Sequence, residues 1–156
     1  MKKIEIAAAS PDHIAHIANH MREADRLECM AMAGKGPHAA LTDSLAASVY
    51  AWTGLVDNEP ICIFGVSPRD LLAGVGSPWL LGTHGIGGIA LAFLRRNQAY
   101  VRRMLDIFPV LENYVDVRNH LSIRWLGWLG FSIEKTPVIC GAEKRPFYRF
   151  GMKKEN

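Results

Sequence analysis

The stretch Asn119-His120-Leu121-Ser122-Ile123-Arg124-Trp125-Leu126-Gly127-Trp128-Leu129-Gly130-Phe131 carries most of the information about the fold. Asn119 is a residue type that caps helices. Residues 121–129 then read as a helix that is apolar nearly all round, which predicts deep burial. Gly130 can take the positive φ that ends a helix, and Phe131 opens a strand inside the core. The preceding run, 110–117, reads as a strand. A strand–helix–strand unit is therefore expected over 110–134.

Working outward, residues 2–8 predict a first strand. Ser10-Pro11-Asp12 is a helix start, with Ser as N-cap, Pro in the first helical position and Asp in the first turn. That helix is expected to run to residue 33, ended by Gly34-Lys35-Gly36-Pro37, with a second helix over 38–48. Residues 49–56 and 61–66 predict an antiparallel hairpin around Asp57-Asn58-Glu59-Pro60. Residues 68–76 read as a loop and 79–83 as a short apolar strand. Gly85, Gly87 and Gly88 open a long helix over 89–107, and 131–134 and 147–152 are the last strands. The order is β-α-α-β-β-β-α-β-α-β-β across one domain, 1–156. It predicts an α/β (α+β) fold: a mixed, mostly antiparallel sheet of about six to seven strands with helices on both faces.

Composition sets the bounds. The 156 residues are 49% hydrophobic and 21% charged, a globular balance. A formal net charge of +3 is too mild for a nucleic-acid binder and suits an acidic small ligand. Cys29, Cys62 and Cys140 are odd in number and widely spaced, giving neither a disulfide framework nor a zinc pair. This points to a reducing compartment. The alternating start lacks the apolar core of a signal peptide, and no stretch is long and apolar enough to span a bilayer. A soluble, cytoplasmic protein is expected.

The element order, Asn119 with Gly130-Phe131 twelve residues on, and Gly85-Ile86-Gly87 between a strand and a long helix together resemble the GNAT superfamily of acyl-CoA-dependent N-acetyltransferases. Leu111-Glu112-Asn113-Tyr114-Val115-Asp116-Val117-Arg118-Asn119, continued by Ile123-Arg124-Trp125-Leu126, is similar to a narrower group, the GNAT-like proteins of tailed phages that include an internal virion protein of podophages. The superfamily resemblance implies acetyl-CoA or another acyl-CoA as donor and a small-molecule or protein amine as acceptor. It places the donor along the fourth strand (Trp79, Leu81, Thr83), at the glycine turn (Gly85, Gly87, Gly88) and at Asn119. The glycine turn's N–H groups would hold the pyrophosphate, although a Gly-x-Gly is also ordinary punctuation between strand and helix. The phage resemblance implies a non-catalytic alternative: packaging in a virion, or contact with virion or host proteins.

Two positions depart from the enzymes' pattern. Leu126 stands where they often place the Tyr that protonates the departing thiolate, and Gly82 stands at the Gln/Arg position of the phosphate loop. Tyr114 is a candidate substitute acid, or else a packed strand aromatic.

In the first helix, Ile14, Ile17, Met21 and Met32 define an apolar stripe. Asp25 lies within it, Glu28 on its flank and Arg22 one row aside. Buried carboxylates are costly unless paired or working. One reading makes Asp25 or Glu28 the general base in an acceptor cleft, with Arg22 at its side. The other makes them a structural ion-pair set. His13, His16 and His20 share one polar side and read as a solvated face, with no metal site expected. Arg95, Arg96, Arg102 and Arg103 surround the long helix as phosphate contacts or solvent charges. Trp125, Trp128 and Phe93 read as core or interface, and four tryptophans leave room for an aromatic face buried on a partner, a second copy of the chain included.

Overall fold

The structure, a computed structural model, describes residues 2–155; Met1 and Asn156 lie outside the described residues. The elements are β1 (Ile4–Ala8), α1 (Pro11–Asn19), α2 (Glu23–Ala33), α3 (Pro37–Ala47), β2 (Tyr50–Val56), β3 (Glu59–Asp70), β4 (Val75–Gly82), a 3₁₀ turn (His84–Ile89), α4 (Ala90–Ile107), β5 (Val110–Asp116), α5 (His120–Leu129), β6 (Ser132–Ile133), β7 (Val138–Cys140) and β8 (Arg145–Lys153). The described strands form one mixed sheet in the order β1-β2-β3-β4-β5-β8-β6, with β7 also paired to β8. Every pairing is antiparallel except β4–β5, which is parallel.

Local chemistry explains several boundaries. Ser10 precedes α1 in an extended conformation and Pro11 occupies its first turn. Asp57 and Asn58 both adopt positive φ (48° and 67°). That is the two-residue turn whose twist matches a β-hairpin, and Asn and Asp tolerate it best after glycine. Gly34 and Gly130 end α2 and α5 in the left-handed conformation.

Four expectations are corrected. The first helix is two, because residues 20–22 leave the helix and pair with the end of β4. Met21 bridges Thr83, and the Arg22 N–H donates to the Gly82 carbonyl at 2.9 Å. The expected loop over 68–76 is mostly strand: β3 and β4 extend into it, leaving a tip at residues 71–74. The strand β7, unforeseen, pairs with β8. Finally, α5 buries only Trp125 fully, and Trp128 is 42% exposed, so its apolar residues cover the sheet on one side only.

Two cores flank the sheet. On one face, β3 and α4 contribute Cys62, Phe64, Phe93, Leu94 and Met104, joined by Leu111, Trp125 and Phe150. On the other, Ile14, Ile17, Met21, Leu41, Ile63 and Leu81 pack together. A fully buried aliphatic or aromatic side chain stabilises by about 1.5–3 kcal/mol. Both layers are therefore anchored strongly to the β3–β4 pair that runs between them.

Candidate functional site

The site begins with a break in the sheet. Strands β4 and β5 pair only at Val75↔Val110 and Gly76↔Leu111. The next β4 residue turned toward β5 is Pro78, which has no N–H to give. Its carbonyl accepts instead from the Asn113 side chain at 2.8 Å. At the far end of β4, the Gly82 N–H donates to Asp25 Oδ2 at 3.0 Å and its carbonyl accepts from Arg22. Backbone direction alternates along a strand, so Leu80, midway between Pro78 and Gly82, turns its N–H and C=O into the opening. The opening is a window framed by Asn113 at one end and by Arg22 and Asp25 at the other.

A cavity of about 270 Å³ passes through this window. On the α2–α3 side it meets Glu28, Cys29, Trp79 and Tyr114, and on the α4 side Leu94, Asn97 and Leu126. Trp79 and Leu81 line it with side chains, but their backbones face β3. The Thr83 N–H likewise donates to the Ile61 carbonyl at 2.8 Å. Within the expected segment 79–83 the two-residue repeat thus turns the backbones of Trp79, Leu81 and Thr83 to β3 and that of Leu80 to the opening.

The carboxylates separate into two roles. Asp25 is 1% exposed and receives four hydrogen bonds: Arg22 Nε at 3.2 Å, Arg22 Nη2 at 2.7 Å, Asn119 Nδ2 at 3.1 Å and the Gly82 N–H. Arg22 Nη2 also reaches Asn119 Oδ1 and Ser122 Oγ, both at 3.1 Å, and the guanidinium carbon lies 5.2 Å from the Trp125 ring centre. Arg22, Asp25 and Asn119 therefore form a closed internal knot joining α2, β4 and α5. Fully satisfied, it fixes the frame of the window. Most polar atoms of Arg22, Asp25 and Asn119 bond one another, the arrangement of the structural ion-pair reading, and Asn119 also hydrogen-bonds Glu28.

Glu28 differs. It lines the cavity, and its Oε1 accepts the Asp116 N–H at 2.7 Å. Burial pushes its carboxyl from 4.5 to about 8, against that hydrogen bond, with Asp25 and Asp116 adding like-charge repulsion. Burial also opposes ionisation of neighbouring Asp116, but hydrogen bonds from the Arg118 side chain and backbone hold its carboxyl below its usual range. Two adjacent carboxyls are thus driven apart, one kept ionised and one poised near neutrality. Tyr114 also lines the cavity, with Arg69 stacked 5.2 Å from its ring centre. Cys29 lines it too, but burial, followed by the repulsion of Glu28 and Asp25, pushes its thiol up to about 12, so it is no thiolate nucleophile.

Gly85, Gly87 and Gly88 lie exposed on the 3₁₀ turn above buried Ile86 and Ile89. The Gly85 N–H is held by Thr83 Oγ1 at 3.2 Å, while Gly87 and Gly88 have open space above them. At Gly82 an added Cβ would lie 3.2 Å from the Ile61 carbonyl and 3.3 Å from the Cys62 Cβ. A larger residue would crowd that strand where Asp25 approaches.

Sequence reasoning missed two residues. Asn97 is 4% exposed on the buried stripe of α4 and its Oδ1 has no partner. The signal was available: a carboxamide at helical spacing between Phe93 and Val101. His13, expected in a solvated row, is half-buried and shares a 2.6 Å hydrogen bond with Thr53.

No family model and no curated protein sequence matches the chain. Solved structures do. The chain is similar to a spermidine N-acetyltransferase from Vibrio cholerae in complex with CoA and spermine, with TM-score 0.67 and 13% identity over 96% of this chain and 95% of that one. It is similar to a ribosomal-protein-S5-alanine acetyltransferase from Vibrio fischeri, with TM-score 0.68 and 11% identity over 98% and 94%. It is similar to an acetyltransferase of the GNAT family from Streptococcus pneumoniae, with TM-score 0.66 and 15% identity over 98% and 100%. The fold is that of the GNAT acetyltransferases.

Proposed function

We propose that this chain transfers an acyl group, acetyl in the simplest case, from an acyl-CoA to an amine by direct attack. The observation that carries the reading is the window between β4 and β5, with one cavity meeting both faces of the sheet. A donor chain can enter from the α4 side while an amine reaches it from the α2–α3 side. Acyl-CoA would supply an activated thioester; amine attack at its carbonyl carbon forms the amide as the carbon–sulfur bond breaks and coenzyme A leaves as thiolate.

The chain's residues then have distinct tasks. The Leu80 N–H, unpaired in the window, polarises the thioester carbonyl and stabilises the charge that develops on its oxygen. Glu28 is close to half-ionised near pH 8 and takes the proton from the attacking amine. Gly87 and Gly88, open at the head of α4, suit the pyrophosphate. Tyr114, on the cavity wall, returns a proton to the thiolate, since Leu126 cannot. The spermine of the Vibrio cholerae complex and the name of the ribosomal-protein-S5-alanine acetyltransferase make a polyamine and a protein amine the first acceptors to try.

Thermal unfolding with and without acetyl-CoA tests the reading. At a hundred times its dissociation constant a ligand stabilises by about 2.7 kcal/mol, or roughly 5–10 °C for a chain of this size. No shift at millimolar acetyl-CoA would remove the transferase reading and leave the non-catalytic module suggested by the phage resemblance.

A further inference from the structure

The amide expected to face the donor, Asn119, is tied to Arg22 and Asp25. A different carboxamide stands open. Asn97 lies at the centre of α4's buried stripe, between Leu94 and Val101, and lines the cavity. Its Oδ1 is the buried side-chain polar atom left without a partner among the described residues. Such a group destabilises a fold unless something answers it. Its surroundings narrow what that something is. A buried water needs two to four polar partners, whereas the α4 side of the cavity is walled mainly by Phe64, Leu94, Val101, Met104 and Leu126, and its polar residues Asn113 and Ser122 already bond Pro78 and Arg22. One carboxamide in an apolar sleeve suits a chain that is mostly alkyl and carries an occasional N–H.

We propose that Asn97 is a ligand-positioning residue that hydrogen-bonds a secondary amide of the donor's thioester arm, fixing how far the arm advances through the window. This deepens the donor-binding reading above and rests on it. The pantetheine arm has that chemistry: two amides spaced by short alkyl segments. The arm's N–H donates to the Asn97 oxygen, and its depth is then set by α4 while the carbonyl end reaches Leu80.

The test is calorimetric titration of the whole chain with three ligands lacking an acyl group: coenzyme A, pantetheine, and the nucleotide portion of coenzyme A without its arm. Asn97→Leu keeps the volume and removes the amide; Asn97→Ala is a second variant in case leucine repacks the helix. Both should weaken coenzyme A and pantetheine by about tenfold, the loss of one buried hydrogen bond, and leave the nucleotide portion unchanged. Asn97→Leu should also melt no lower than wild type, because it removes an unanswered polar group. Unchanged coenzyme A affinity in a folded variant overturns the proposal and leaves the donor site standing. Equal weakening of arm and nucleotide overturns it as well, as damage to the site at large. If wild type binds none of the three, the donor reading itself fails.

Discussion

Replacing Glu28 by glutamine should flatten the stability of this protein against pH. The carboxyl sits in the cavity wall, and burial, with like charge from Asp25 and Asp116, lifts its ionisation from 4.5 to about 8. A carboxyl raised in the fold contributes stability that is fully present below pH 4.5. The contribution is lost as pH rises through about 8, since the folded state holds its proton longer than the unfolded chain does. At about 1.4 kcal/mol per pKa unit, the loss between pH 5 and pH 9 is about 4 kcal/mol at most, and water reaching the half-open cavity trims it to about 2–4 kcal/mol. For a chain of 156 residues that is a fall in melting temperature of roughly 5–15 °C. Glu28→Gln keeps the acceptor oxygen for the Asp116 N–H and cannot ionise. Melting both proteins by circular dichroism at intervals from pH 5 to pH 9 should show wild type falling away from the variant, most steeply from pH 6 to 8. Two parallel curves would falsify the claim that this carboxyl is held protonated, and with it the assignment of a base that switches on near pH 8.

Two further outcomes follow from packing. Asp25→Leu leaves the Arg22 guanidinium buried without its carboxylate and should lower the urea unfolding free energy by about 3–5 kcal/mol; a loss below about 1 kcal/mol would mean that water solvates Arg22 freely. Gly65→Ala places a Cβ 2.5 Å from the Tyr50 carbonyl, a backbone atom that cannot step aside. It should cost about 1–3 kcal/mol and widen β2–β3, whereas a melting temperature equal to wild type would show that the two strands sit further apart than described.

What could be read in advance divides along the reach of the interactions. Ser10-Pro11, Asp57-Asn58 and Gly130 announce their turns because the conformational preference resides in the residues themselves. Two apolar runs flanking such a turn announce the hairpin. The break at Met21 is of another kind. Asn19-His20-Met21-Arg22 holds no residue that stops a helix, and the helix opens because β4 offers pairing partners some sixty residues away. The knot of Arg22, Asp25 and Asn119 is half legible: an arginine and an aspartate at i,i+3 on an apolar stripe foretell a pair, but not the asparagine that closes it from α5. Glu28 could be nominated from its place on the helix flank, yet its separation from Asp25 depends on which carboxyl meets Arg22. Pro78, which interrupts the β4–β5 ladder, fell between an expected loop and an expected strand, so its bearing on the window was not visible.

The unpaired backbone at Leu80 makes β4 an interior strand edge. On a protein surface such an edge recruits other chains and is usually shielded by charge or brevity. Turned inward and bounded at both ends, it leaves a slot as narrow as a single extended chain, edged by backbone N–H and C=O rather than by side chains. The width of the slot is thus set by backbone spacing, while the side chains of Trp79 and Leu81 shape the cavity beside it.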